Sequence, residues 1–176
     1  MTSRTKMVTG VGLGAALAVA GIGALLVNRS AEAGDATASA AAVASADVRG
    51  NGETVVVYRS PTCGCCKAWE DHMRAAGYTI ESHEVMDVTP VKNEQGVPAP
   101  LRSCHTATVG GYTFEGHVPA EDVVRVLAER PEIDGLAVPG MPPGSPGMDV
   151  PGREDEPFEV FSFRAGGESE IWATRR

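Results

Sequence analysis

Aromatic residues are scarce in this chain, at 5% of 176 residues, so any core is built mainly from aliphatic side chains. Basic charge is also short: 15 Lys and Arg face 23 Asp and Glu, for a net charge of −8. An acidic chain without a basic patch excludes nucleic acid as a partner class. No Ser/His/Asp order, phosphate-binding Gly-rich loop or H-E-x-x-H pattern occurs, which removes the familiar hydrolase, nucleotide and zinc-protease readings. Acidic residues are spread evenly, the pattern of a hydrated surface rather than of a paired-carboxylate site. There is no internal repeat. Cysteine is limited to four residues, enough for two disulfides or for a metal site, and the count alone does not choose.

One long apolar run is present. Arg4 and Lys6 precede Met7 to Val27, a stretch made only of Met, Val, Thr, Gly, Ala, Leu and Ile. Such a run is a secretory signal or a membrane anchor. Ala31-Glu32-Ala33 fits a small-x-small cleavage site. Against cleavage stand the length of the run, enough to span a bilayer, and the interruption at Asn28-Arg29, so the two readings balance. Both readings of residues 1–33 stand, and both put the remainder outside the cytoplasm, in a periplasmic or other extracytoplasmic space. Contact with the inner membrane is expected only through this segment. No cysteine follows the run, which argues against a lipoprotein. Residues 34–52 are rich in Ala, Ser, Asp and Gly and read as a flexible linker. Residues 53–176 read as one folded domain.

Within that domain, Thr54 to Tyr58 is a β-branched buried strand. A helix capped by Ser60 or Thr62 follows, with Cys66, Trp69, Met73 and Ala76 on its apolar stripe and Gly77 at its end. Tyr78 to Val85 alternates as a second strand. Pro90 to Gln95 reads as a short helix closed by Gly96. Thr106 to Val109 and Tyr112 to Glu115 flank Gly110-Gly111, the signature of a hairpin with a primed turn. Pro119 opens a helix with Val123, Val124, Val126 and Leu127 inward, and Pro131 ends it. Gly135 to Gly152, loaded with Gly and Pro, reads as a long loop. Phe158 to Phe163 and Glu170 to Ala173 read as a closing hairpin. This order predicts an α/β fold: a thioredoxin-like mixed sheet with flanking helices, in which a cysteine motif opens the first helix.

That motif is Cys63-Gly64-Cys65-Cys66. A helix N-terminus favours thiolate through its unpaired N–H groups and its dipole. Cys63 and Cys66 have the C-x-x-C spacing of thiol–disulfide enzymes, but a redox pair needs two sulfurs and Cys65 is a third. Cys104-His105 precedes the hairpin and His117 follows it. Met141 and Met148 lie in the Gly/Pro loop. Thiolates, imidazoles and thioethers together are a ligand set for Cu(I), with Zn(II) less favoured by the methionines. Plainer readings stand beside this one. The cysteines can form a structural disulfide, Cys104 can pair with one of the cluster, His105 and His117 can be hydrogen-bonded hairpin residues, and Met141 and Met148 can be gap-fillers. His72 lies off the helix stripe and reads as solvated. His83 and Met86 follow a strand without an evident partner.

Several linked motifs resemble a known family. They are Pro61-Thr62-Cys63-Gly64-Cys65-Cys66, Gly96-Val97-Pro98, Ser103-Cys104-His105-Thr106-Ala107, Gly110-Gly111-Tyr112 and Glu115-Gly116-His117-Val118-Pro119-Ala120. Gly135 to Pro142 and Gly144 to Met148 complete the series. In this order they are similar to the bacterial CopG-type family of exported metal-binding proteins. The resemblance covers Val55 to about Met148. It implies a thioredoxin-like fold, a link to copper resistance, copper as Cu(I) or Cu(II) at the cysteine motif, and redox activity in at least some members. Carried over, the ligands are Cys63, Cys65, Cys66, Cys104, His117, Met141 and Met148, with His105 either a further ligand or an orienting neighbour. The expected partners are copper ions and an electron donor or copper-transfer protein. Two alternatives remain: a metal-free thiol–disulfide oxidoreductase using Cys63 and Cys66 as catalytic residues, and a zinc-stapled structural domain.

Overall fold

The computed structural model describes residues 50–149, 151, 152 and 154–176. The expected signal or anchor at 1–33 and most of the expected linker lie outside the described residues. Among the described residues no helix is long and apolar enough to cross a membrane.

Among the described residues the fold is mixed α/β: one seven-stranded sheet and three α-helices. In chain order these are β1 (Thr54–Arg59), α1 (Gly64–Ala75), β2 (Thr79–Glu84), α2 (Thr89–Glu94), β3 (His105–Val109), β4 (Tyr112–Gly116), α3 (Ala120–Glu129), β5 (Gly135–Val138), β6 (Phe158–Phe163) and β7 (Ser169–Arg175). A short 3-10 turn covers Ala99–Leu101. The sheet order is β2-β1-β3-β4-β5-β6-β7. Two parallel pairs, β1 with β2 and β4 with β5, are each bridged by a helix, α1 and α3. Parallel neighbours need such a crossover, whereas the antiparallel pairs β3–β4 and β6–β7 close over tight turns. Gly110 (φ +60°) and Gly111 (φ +88°) both sit in the left-handed region, as a primed hairpin turn requires.

The main core follows from these patterns. Val55 and Val57 of β1, Trp69 and Met73 of α1, Phe114 of β4, Val123 and Val126 of α3, and Leu136 and Val138 of β5 are all fully buried. Strand alternation sends Ala137 to the other face, where it joins Val97, Leu101 and Phe163 in a smaller cluster.

Four expectations are corrected. Gly135 to Val138 is a buried strand in the middle of the sheet, not part of a loop; the Gly/Pro-rich text begins one residue later. Cys63 itself holds the N-cap position of α1, and no side chain caps it; the Cys63 N–H donates to the Ser60 carbonyl at 3.1 Å. His72 is not simply solvated: its Nε2 accepts the Ala120 N–H at 3.1 Å, at the start of α3. The acidic residues are not all surface. Glu70 pairs with Arg59 (2.8 Å), Glu115 with Lys92 (2.6 Å) and Asp122 with Arg175 (2.5 Å), and all three carboxylates are buried. Near the start of the described residues, the Gly50 N–H donates to the Ala76 carbonyl at 2.6 Å.

Candidate metal centre

Strand register brings the site together. Thr106 of β3 lies opposite Glu115 of β4, so the residues just beyond, Cys104 and His117, leave the hairpin on the same side. Arg59 of β1 lies opposite His105, which sets the Cys104 bend beside the turn that leads into Cys63. The result is four cysteine sulfurs within 4.8 Å of one another, and a second group, Cys104, His105 and His117, within the same limit. Cys104 belongs to both.

The outer part sits at the N-terminus of α1. Cys63 and Cys66 form a disulfide, while Cys65 and Cys104 are free thiols. Cys66 is on the buried stripe; Cys63 and Cys65 are partly exposed. Cys65 Sγ lies 3.5 Å from Cys63 Sγ and 3.9 Å from Met141 Sδ. Met141 is half exposed, at the rim. Met148 is partly buried in the loop, its thioether makes none of the hydrogen bonds found among the described residues, and its N–H donates to the Ser145 carbonyl at 2.9 Å.

The inner part is more deeply buried, although Cys104 itself is partly exposed. His105 and His117 are fully buried. Cys104 Sγ lies 3.1 Å from His117 Nε2 and 3.3 Å from His105 Nδ1. On the far side of its ring, His117 Nδ1 donates to the Pro146 carbonyl at 2.7 Å. That bond fixes the tautomer, leaving the Nε2 lone pair aimed at the cysteine, as a metal-ligating imidazole requires. Burial lowers the His117 pKa, against the pull of the Pro146 carbonyl, so the ring is neutral at neutral pH. Burial, with the neighbouring Cys65, pushes Cys104 up to about 12. The thiol therefore keeps its proton and donates it to His117 until something stronger than a proton competes for the sulfur. His105 is held well below its ordinary value, by burial first and then by His117, Lys92 and Arg59. Its Nε2 is buried without a partner. Its ring leans on Trp69, centroid to centroid 4.5 Å, and Trp69 Nε1 donates to the Val118 carbonyl at 2.8 Å.

The loop carrying Met141 packs down because Gly147 has no side chain. A Cβ there would lie 2.7 Å from the Trp69 backbone nitrogen and 2.8 Å from the Cys65 carbonyl oxygen, and its φ of +83° is one that favours glycine.

Of the residues chosen from the sequence, Cys63, Cys65, Cys66, Cys104, His117 and Met141 converge. Two thiols, two neutral imidazoles and a thioether, plus two sulfurs held as a disulfide, are a donor set that fits a soft metal. With Cys63 and Cys66 joined, two of the four cysteines are free thiols, Cys65 and Cys104. The sequence reading missed the supporting residues Ser103, Glu115 and Lys92 and the Pro146 carbonyl. Glu115, an acidic residue inside the apolar strand Tyr112–Gly116, was the visible signal.

A family profile described as "Protein of unknown function, DUF411" matches residues 101–148, a span holding Cys104, His105, His117, Met141 and Met148 but not the first cysteine motif. No curated protein matches. Two solved structures are similar over most of the chain. "Copper resistance protein copG- Form 2" is 39% identical with a TM-score of 0.65, covering 70% of this chain and 98% of its own. This chain belongs to the CopG family. "Copper resistance protein copG- Form 1" gives the same identity and a TM-score of 0.64, covering 69% of this chain and 96% of its own.

Proposed function

We propose that this protein binds copper outside the cytoplasm and supports copper handling and resistance, with a thioredoxin-like domain as the scaffold. The observation that carries the reading is the convergence of Cys65, Cys104, His117 and Met141 around the Cys63–Cys66 disulfide, in a chain whose relatives are named for copper resistance. Reduced, Cys63 and Cys66 add two thiolates to that set, and soft ligands stabilise Cu(I) without excluding Cu(II). Copper bound there supplies one-electron chemistry. The residues do the rest. Cys104 yields its proton when the sulfur is taken up as a ligand, His117 presents Nε2 with Nδ1 anchored, and Met141 covers the exposed side. Cys63 and Cys66 exchange two electrons and two protons between dithiol and disulfide, so a donor protein that reduces them also enlarges the ligand set. Residues 1–33 deliver the chain across the membrane and either leave or stay as an anchor; residues 34–52 act as the spacer.

The test is anaerobic Cu(I) titration of reduced protein, with metal and free thiols counted on the same sample. More than one copper per chain is expected in the reduced form, with most of the capacity lost in Cys63→Ser/Cys66→Ser. Absence of bound copper overturns the reading.

A second reading has its own observation. The disulfide at a helix N-terminus, with the free Cys65 sulfur 3.5 Å from Cys63, is also the geometry of a thiol–disulfide oxidoreductase. It predicts turnover of a disulfide substrate by metal-free protein, and the lack of such turnover eliminates it.

A further inference from the structure

Beneath Cys104 lies a polar cluster that none of the ligand chemistry uses. Glu115 is fully buried in β4. Its Oε1 accepts from Lys92 Nζ and from the Ser103 N–H, both at 2.6 Å, and its Oε2 accepts from the Thr106 hydroxyl at 2.7 Å. Lys92 also donates to Thr106 Oγ1 at 3.0 Å. A buried carboxylate with all its partners in place is rigid, because moving any one leaves a charge unpaired in a dry site.

The output of this cluster is the Ser103 amide, and Ser103 is tied a second time. Its hydroxyl donates to the Gly140 carbonyl, and its backbone forms a parallel bridge with Gly140. Gly116 permits the approach: a Cβ there would lie 2.5 Å from Ser103 Oγ and 2.6 Å from the Val138 carbonyl, at a φ of +70°. Residue 103 precedes Cys104, and residue 140 precedes Met141. One serine therefore links the backbone of an inner sulfur ligand to the backbone of the rim thioether.

We propose that Ser103, held by Glu115, is a positioning joint that fixes Cys104 and the Met141 arm as one unit, so that the two sulfurs close on an ion together. The proposal deepens the copper reading and rests on it for its binding consequence. The mechanical consequence does not depend on a metal. Neither residue is itself a ligand: Glu115 acts through the Ser103 amide, and Ser103 acts through its ties to Gly140 and through its hydroxyl, which also lies 4.0 Å from Cys104 Sγ.

The test has two arms. In the reduced protein, Cu(I) affinity is measured by competition with a chromogenic chelator for wild type, Met141→Leu, Ser103→Ala and the double variant. Ser103→Ala is expected to weaken Cu(I) binding about 10-fold, the lower end for loss of a ligand-orienting contact. Met141→Leu is expected to weaken wild type by a similar factor but to add no more than about twofold in the Ser103→Ala background, since uncoupled sites add and coupled ones do not. A merely structural serine gives additive losses, and additivity overturns the proposal. The second arm is hydrogen exchange of the metal-free protein. Ser103→Ala is expected to raise exchange at the Gly140 and Met141 amides, the only two in residues 139–142, roughly 3- to 10-fold, the scale of one hydrogen bond. Glu115→Gln is expected to raise it at 102–105 and at Gly140 and Met141 together, although Glu115 has no hydrogen bond to the second segment. A change confined to 102–105 overturns the joint. If wild type takes up no Cu(I), the copper reading falls while the exchange arm still decides the joint.

Discussion

The two walls of the site differ in nearly every physical respect. The outer wall, Cys63, Cys65 and Met141, is partly exposed, stands on a helix N-terminus and a loop, and contains the bond that can be made or broken by electrons. The inner wall, Cys104, His105 and His117, is packed against Trp69, anchored by Pro146 and backed by a buried ion pair. The contrast teaches a division of labour. Chemistry that must meet other molecules is placed where solvent and partners reach it. The ligands whose geometry must not drift are set on or directly beside paired strands, His105 in β3 and Cys104 and His117 one residue beyond β3 and β4, where the register has no slack.

Separating the walls by mutation gives the largest expected effect on the outer one. Cys63→Ser/Cys66→Ser is expected to abolish most copper capacity while costing about 2 kcal/mol of stability or less, since a bridge spanning so few residues constrains the unfolded chain little. Denaturant unfolding of the metal-free oxidised proteins checks this, and a much larger loss would show that the outer wall also holds the fold. Glu115→Ala is the mirror experiment. It strands Lys92 in the interior and is expected to cost about 3–5 kcal/mol, measured the same way. A loss below ~1 kcal/mol would mean that water reaches the inner wall and that the contrast is weaker than drawn. Gly147→Ala presses the loop off the helix that carries the outer wall, at a backbone angle costing about 1–3 kcal/mol. Because Pro146 moves with it, free His117 is expected to show a changed imidazole tautomer signal by NMR. An unchanged signal would show that the inner wall holds its histidine without the loop.

The smallest effect concerns pH. His72 must be neutral to accept the Ala120 N–H, and burial lowers its pKa below the ordinary 6.5, against the pull of Glu121 and Asp149. The unfolded chain then takes up the proton first. The contribution is complete above pH 6.5 and is lost as pH falls through that value toward the folded one. His105 and His117 act in the same direction, so the whole protein is expected to lose Tm on acidification. His72→Gln, which keeps an acceptor but does not titrate, should make the fall between about pH 7 and about pH 5 slightly shallower. An identical slope would assign the acid sensitivity to the inner wall alone.

Much of this was legible in the chain. Local rules placed α1, α3 and both hairpins, because their Gly, Pro and apolar spacings are short-range signals. The strand Gly135–Val138 was not legible, since Gly-Leu-Ala-Val runs directly into Pro139-Gly140 and only the pairing with β4 and β6 makes it a strand. The ligand types at Cys63, Cys65, Cys66, Cys104, His117 and Met141 could be read as chemistry. That Cys104 meets His117 as well as the other cysteines is a fact of register. The buried roles of Glu115, Glu70 and Asp122 escaped because an acidic residue reads as hydrated until its cation is known to lie across a strand or helix.

Trp69 gives the molecule an optical handle. Its indole is fully buried against His105, one ring away from the candidate ligands, while Trp172, the other of the chain's two tryptophans, lies under Arg125 at 4.1 Å and bonds to Asp122 instead. Emission from the first should dim when an ion quenches it at short range, and emission from the second should not. With Trp172→Phe as the background, occupancy of the inner wall becomes readable in real time from a single intrinsic fluorophore, without a label and without removing the protein from its partners.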